Sequence, residues 1–328
     1  MNSSKLKYLT LKVANNLLLM VMLILLSFAL PRLIPGSPIA GFEEDIHILN
    51  TILPEETFNR FSEYYAPSEP LSKQLLIYLQ NIINFDLGYS FYYGYPVLEV
   101  IKGRIGWTLL LSIMSILFSS LIAIPAGLYS AMKSNKTDRV LTFSIITLQA
   151  IPVFIIALII QRIFAYRLGL FPSQGAYSIK IYSTTVSFFV DAGYHLILPL
   201  AASVISQIPS SFILMRNIVF RIKNEPYVEM AYFNNIDEIS IGYFYIFKNC
   251  LPEIISKLNI HFMYAIAGTL FVEMIFSYPG IGYLLRVAVS ARDYPLIQGI
   301  FLVIIVYAIA INILFEWILC QVSPRVSQ

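Results

Sequence analysis

Apolar residues fill long windows of the chain, and polar residues gather between them. A helix crossing a bilayer core needs about 20 mostly apolar residues. Six windows have that length: roughly Val13 to Ile34, Trp107 to Ala131, Val140 to Tyr166, Tyr194 to Met215, Ile260 to Ser277 and Ile297 to Cys320. The pattern therefore predicts an all-α polytopic membrane protein with about six transmembrane helices. The second window carries Ser112, Ser115, Ser119, Ser120, Ala123, Ala126 and Gly127. Small residues let helix backbones approach closely, so this helix is expected inside a bundle. Pro125 in the second window and Pro199 and Pro209 in the fourth predict kinks. Lys5, Lys7 and Lys12 precede the first window as they would a signal peptide. Its apolar stretch is long for one, however, and Pro35-Gly36-Ser37-Pro38 makes a poor cleavage site, so an uncleaved first span is expected.

Two polar stretches are long for loops and so invite a role. Residues 35–106 are rich in acids (Glu43, Glu44, Asp45, Glu55, Glu56, Glu63, Glu69) and contain a helix-like stretch from Leu71 to Ile83. The other runs over about residues 216–258. Basic residues mark the cytoplasmic side of a membrane protein. They collect before the first window (Lys5, Lys7, Lys12), after the second (Lys133, Lys136, Arg139) and after the fourth (Arg216, Arg221, Lys223, Lys248, Lys257). With six spans these segments share one side, and both termini are expected in the cytoplasm. The acid-rich stretch then lies outside. The expected division is 1–106, a first helix with a long extracytoplasmic segment, and 107–328, a five-helix core.

Composition sharpens this. The chain has 328 residues, 58% of them hydrophobic and 12% charged, with a mean hydropathy of +0.72. An ordinary soluble domain has roughly 25% charged residues. A single soluble core is excluded, because so apolar a chain lacks the polar surface to cover it. Disorder is excluded by the abundance of aromatic and β-branched residues. The net charge of +3 is too small to suggest nucleic acid as a partner. Cys250 and Cys320 form no ligand pair, and His47, His195 and His261 lie far apart, so no metal site is expected. The chain has no P-loop, H-E-x-x-H or G-x-S-x-G motif. Polar residues inside the windows include Gln149, Gln161, Arg162, Glu273, Asn312 and Glu316. Arg162 and Glu316 sit near window ends, where a long side chain snorkels to the interface. Glu273 lies deeper, and an ionisable group there is costly enough to suggest a role. No catalytic set is present, so the chain is not expected to be an enzyme.

The segment EPYVEMAYFNNIDEISIGYFYIFKNCLPEI stands out within the second polar stretch. Tyr227 to Phe233 predict a short helix. Asn235 then turns the chain into a second helix with apolar residues at Ile239, Tyr243, Ile246 and Phe247. Asn tolerates the φ > 0 that such a turn needs. The pattern alone fits a mechanical docking element and an amphipathic loop resting on lipid headgroups equally well. Further on, Pro279-Gly280-Ile281-Gly282 breaks the fifth window six residues after Glu273.

This segment resembles the cytoplasmic coupling loop of binding-protein-dependent ABC importer permeases, in the peptide and nickel branch. That family's loop has Glu-Ala-Ala, three residues, then Gly. The matching positions here are Glu229, Met230, Ala231 and Asn235, with Tyr227-Val228 before them, Ile236 after them and Lys248-Asn249 beyond. Other pieces agree in order: Pro35-Gly36-Ser37-Pro38, Asp86-Leu87-Gly88-Tyr89-Ser90, Pro96-Val97, Arg104 with Thr108, VEMIFSYPGIGYLL, ARDYPLIQG and Ser323-Pro324-Arg325. The resemblance covers nearly the whole chain. Met230 and Asn235 depart from the usual Ala and Gly, Asp237-Glu238 make the loop more acidic, and Pro252 is displaced by one residue.

The resemblance implies a type I ABC importer transmembrane domain in a prokaryotic plasma membrane. It implies a permease forming half of a translocation path for peptides, or alternatively for nickel or a chelated metal. The partners it implies are a homologous second permease, two P-loop ATPase subunits and an extracytoplasmic binding protein. ATP and Mg would sit on the ATPases, with no cofactor in this chain. Residues Tyr227 to Ala231, Asn235 and Ile236 would enter an ATPase cleft. Glu273, Pro279, Gly280 and Gly282 would lie at an outer gate or binding-protein contact. A plain helix-ending turn, with Glu273 hydrogen-bonded inside the bundle, fits the residues equally. A secondary transporter or channel and an intramembrane enzyme are the readings from other classes.

Overall fold

The computed structural model describes residues 18, 20–29, 64, 69–133, 135–179 and 184–322. Pro35-Gly36-Ser37-Pro38 and Ser323-Pro324-Arg325 lie outside them, as does much of the first apolar window, of which Met20–Ala29 is a helix (α1). Next come α2 (Leu71–Ile83) and a short antiparallel pair, β1 (Tyr89–Ser90) with β2 (Tyr95–Pro96). Then follow α3 (Val97–Met132), α4 (Asn135–Gln149), α5 (Val153–Ile160), which continues as a π-helix over Gln161–Arg167, and α6 (Thr185–Lys223). The rest is α7 (Pro226–Phe233), α8 (Glu238–Ser240), a second π-helix (Ile241–Phe247), α9 (Lys248–Ile275), α10 (Ile281–Ser290) and α11 (Tyr294–Val322).

Three helices are long and apolar enough to cross a membrane unaided: α3, α6 and Tyr294–Leu319 of α11. Two bent pairs raise the number to five. One is α4 with Val153–Arg167, bent by 89°; the other is Glu238–Tyr264 with Ile266–Ile275, bent by 43°. The window from Val140 to Tyr166 is therefore not the single straight span that its apolarity predicts. Pro152 disfavours helical geometry at Ile151 and has no N–H to give, so α4 ends at Gln149 and α5 restarts beyond the proline. The prolines of α3 and α6, by contrast, leave each helix continuous.

The described chain forms two compact units. The larger comprises Trp107–Gly282 and the residues from Ile311 onward. Here the small-residue stripe of α3 turns inward: Ser112, Ser115, Ser119 and Ala123 are all buried. A Cβ on Gly127 would lie 2.8 Å from the Phe212 carbonyl oxygen and 2.9 Å from Met215 Cβ, so α3 and α6 touch backbone to backbone there. One apolar core joins Leu111 to α5 (Ile156, Ala157, Ile160), α6 (Leu198, Ala202) and the end of α9 (Val272, Phe276). Gln161 donates from Nε2 to the carbonyls of Ser173 (2.9 Å) and Ile275 (3.1 Å).

The other unit holds the described residues up to Gly106 together with Tyr283–Ala310. Tyr78 of α2 packs on Phe28, with ring centroids 5.5 Å apart, and its hydroxyl meets the Ser27 hydroxyl at 2.9 Å. Two distant sequence pieces meet at Asp293. Its Oδ2 accepts from Ser90 Oγ (2.5 Å) and the Tyr92 N–H (3.1 Å), and its Oδ1 accepts from the Leu296 N–H (3.3 Å), capping α11. Asp293 is fully buried, and burial pushes its carboxyl above the usual carboxylate range.

Removing Asp293 leaves several donors unmet inside the fold. Asp293→Ala should cost about 2–4 kcal/mol of stability, and Asp293→Asn, which keeps an acceptor, well under half of that. The sign with pH is set by the raised pKa. The folded state holds the proton more tightly, so stability relative to Asp293→Asn is greatest at low pH. It declines as pH rises from the unfolded value of 3.8 through the folded one. Thermal melts of both purified variants across pH check both points.

Candidate functional site

The segment between α6 and α9 is a packed helix–turn–helix. At its start, Asn224 and Glu225 close the end of α6 with N–H bonds to the Arg221 and Ile222 carbonyls. Pro226 takes the first position of α7, where its missing N–H costs nothing. After Phe233 the chain reverses at Asn235, whose φ is +54°. Its N–H donates to the Tyr232 carbonyl (3.0 Å), and the Ile236 N–H to the Ala231 carbonyl (3.2 Å). The turn expected at Asn235 is thus present. Asp237 caps the next helix by accepting from the Ser240 N–H (2.9 Å), which holds its carboxyl below the usual carboxylate range.

The two faces of this segment differ. Val228 and Ala231 are buried in one core with Ala131 of α3, with Met215, Ile218, Val219 and Ile222 of α6, and with Ile241, Ile246, Cys250 and Ile254; Ile236 packs at its edge. Full burial of Val228 alone stabilises by roughly 2 kcal/mol. The opposite face is bare: Met230 is 65% exposed, Phe233 84% and Ile239 84%, with Tyr227 and Glu229 beside them. Burial raises the Tyr227 and Tyr232 hydroxyls above the usual tyrosine pKa. The second helix differs from its sequence expectation. Of Ile239, Tyr243, Ile246 and Phe247 only Ile246 is fully buried, and Ile241 is buried instead. The turns over Ile241–Phe247 are π-helical, which rotates the inward face away from the 3.6-residue period.

Glu273 is fully buried near the end of α9. Its Oε2 accepts from the Gly282 N–H at 2.6 Å, and Thr108 Oγ1 accepts from the Ile281 N–H at 2.7 Å. A carboxylate at the start of α10 also suits the positive end of that helix. Ser277 at φ +46° and the Tyr278 N–H bond to the Glu273 carbonyl (2.9 Å) turn the chain toward Pro279. A Cβ on Gly280 would fall 2.5 Å from Thr108 Oγ1, and one on Gly282 2.6 Å from Leu270 Cα. The structure thus gathers Glu273, Gly280 and Gly282 into one tight turn, next to Pro279. It supplies the hydrogen-bonded arrangement that the sequence left level with a gate.

Sequence reasoning missed a third feature. Arg216 Nε donates to Asp138 Oδ1 at 2.6 Å and its Nη2 to Oδ2 at 2.5 Å, while Ser130 Oγ donates to Oδ1 at 2.8 Å. The sequence showed Arg216 only as a basic loop residue. A partner 78 positions away leaves no local signal.

Apolar helices of spanning length, a broken pair and a packed helix–turn–helix with a bare outer face describe a multi-pass membrane protein. Residues 123–328 match the profile of the family described as binding-protein-dependent transport system inner membrane component, and the chain belongs to that family. A probable peptide ABC transporter permease protein, y4tP of Sinorhizobium fredii, is 28% identical over 321 residues, which is 97% of this chain and 98% of that one. The oligopeptide transport system permease protein AppB of Bacillus subtilis is 28% identical over 304 residues, 92% of this chain and 93% of its own length. Among solved structures, an inward-facing form of the MetNI methionine ABC transporter superposes with a TM-score of 0.57 at 12% identity, covering 68% of this chain and 96% of that one. The fold is that of a type I ABC importer transmembrane domain. The chain is a permease, a transport subunit that works with ATPase subunits rather than an enzyme.

The two turns make opposite demands on side chains. Gly280→Ala should destabilise by about 1–3 kcal/mol, because the added methyl meets buried atoms. Asn235→Gly should be neutral or stabilising by up to about 1 kcal/mol, because it relieves a positive φ. Melting temperatures of the two purified variants should move in these directions.

Proposed function

We propose that this chain forms half of the membrane path of a peptide importer and is driven through Tyr227 to Ala231, Asn235 and Ile236. The observation that carries the reading is the two-faced α7. Its inner face is fixed to the ends of α3 and α6, and its outer face offers Met230, Phe233 and Glu229 to a partner. The partner is a P-loop ATPase subunit, one of two, that holds ATP and Mg. A homologous second permease completes the path, and an extracytoplasmic binding protein delivers substrate near Glu273, Pro279, Gly280 and Gly282. Peptides are the substrate class because y4tP and AppB are named for them over almost the whole chain length. Both termini face the cytoplasm of a prokaryotic cell, on the side of the basic segments. From Asn224 to Phe247 the chain has four acids (Glu225, Glu229, Asp237, Glu238) and no Lys or Arg, so the receiving cleft should be apolar with a basic rim.

ATPase closure would move α7, and α6 with it, so that the path turns outward to accept substrate. Hydrolysis would reset it inward. Each step shifts the balance between two states by differential binding.

Glu229→Lys and Phe233→Glu change only the exposed face. Co-purification with the ATPase subunits and ATP-dependent uptake of a labelled tripeptide should each fall about tenfold, a loss of roughly 1.4 kcal/mol, at unchanged melting temperature. Undiminished association and uptake in both variants would sink the docking assignment.

A further inference from the structure

The bent pair α4–α5 has an unusual attachment. Among the described side chains of α4, Asp138 is the one that is buried. Val140, Phe143 and Ile146 of the same helix are exposed. Among the described residues of α4 no apolar side chain is fully buried, and Leu141, Ile145 and Leu148 are half-buried. The helix's fixed point is a carboxylate gripped by Arg216 of α6 and by Ser130 of α3, so three helices meet at one charged joint. The guanidinium grips both carboxylate oxygens, a geometry that sets direction as well as distance. Its other side lies over the Phe220 ring, 4.6 Å from the centroid. Thr142, one turn along α4, adds a longer contact to Oδ1 at 3.4 Å.

The position of this joint along α6 is informative. Met215, Ile218, Val219 and Ile222 of the same helix stretch form the core under Val228 and Ala231 of α7. Arg216 sits within that stretch and reaches α4. Beyond the 89° bend, α5 packs through Ile156, Ala157 and Ile160 into the core that holds Val272, Phe276 and Tyr278, beside Glu273. A displacement of α7 thus has a packed route into α6, and from α6 a directional polar joint to α4, besides the apolar contact of α6 with α5.

We propose that Arg216 and Asp138 are positioning residues for transport, the joint that passes movement of the coupling helix to the bent pair α4–α5. The inference rests on the permease reading above. The side chains are 23% and 11% exposed, so the pair is partly shielded from solvent and screening weakens it less than an open surface pair. Losing one partner leaves the other charge shielded and unmatched, whereas exchanging the two charges restores the pair.

The test is the ratio of uptake to hydrolysis in proteoliposomes holding the full transporter and its binding protein, with a labelled tripeptide as probe, measured per assembled complex. Arg216→Gln is expected to keep ATP hydrolysis within about twofold of wild type while uptake per ATP falls about fivefold or more. Arg216→Lys, which retains charge without the two-pronged grip, should fall between the two. The exchanged double variant Asp138→Arg with Arg216→Asp should recover most of the ratio. An unchanged ratio in Arg216→Gln overturns the proposal. So does a proportional fall of hydrolysis and uptake with a lowered melting temperature, because the pair then only holds the fold. If the wild type shows no ATP-dependent uptake, the permease reading fails and takes the inference with it, which separates the two failures.

Discussion

The contact that the rest depends on is the apolar core under α7. A docking element can pass on force only if its far side cannot slip. Val228 and Ala231 are buried to within 2% of full enclosure against α3 and α6, so sliding α7 would uncover methyl groups on three helices at once. Close-packed interiors deform little before they rearrange. The exposed face of α7 is therefore the top of a rigid block that includes the ends of two membrane helices. Phe233 and Met230 lie bare on the outer side of that block.

Three of the polar groups buried elsewhere follow one rule. Glu273 binds the Gly282 N–H, Asp293 the Tyr92 and Leu296 N–H groups, and Gln161 the Ser173 and Ile275 carbonyls. Each meets backbone left open at a helix end or a turn. An orphan backbone group costs most in a low-dielectric interior. A side chain that satisfies it turns a weak point into a fastened corner. Such a corner lets the chain break at Pro279 without leaving the Gly282 N–H bare.

Much of this was legible in the sequence. The bounds Leu71–Ile83, the small-residue stripe of α3, the short helix up to Phe233 and the turn at Asn235 all follow from local rules of spacing, residue size and permitted φ. What was not legible depends on direction or on distance. Average apolarity over Val140 to Tyr166 says nothing about where the helix points, so the 89° bend was hidden although Pro152 was in view. The π-helical turns over Ile241–Phe247 change which residues face inward, and a 3.6-residue pattern cannot anticipate that. Ser90 and Asp293 lie 203 positions apart, and Thr108 and Ile281 173 apart. Only the folded chain pairs them. Glu273 shows the boundary well. Its depth in an apolar window marked it as unusual, yet its role as an anchor for Gly282 needed the turn that brings the two together.

The distribution of charge then bears on the energy source. A transporter that powers itself needs an ionisable group whose protonation or ion binding changes between states, placed along the path. Among the described residues the deeply buried carboxylates, Glu273 and Asp293, hold backbone N–H groups at helix ends, and Asp138 holds a guanidinium. The apolar lengths of α3, α6 and α11 hold hydroxyls and amides, with Asp191 and His195 near the start of α6 and Glu316 near the end of α11. The segment between α6 and α9 is packed on its inner face and bare on its outer one. A transport subunit that works with ATPase subunits agrees with a chain whose few buried carboxylates serve as fastenings.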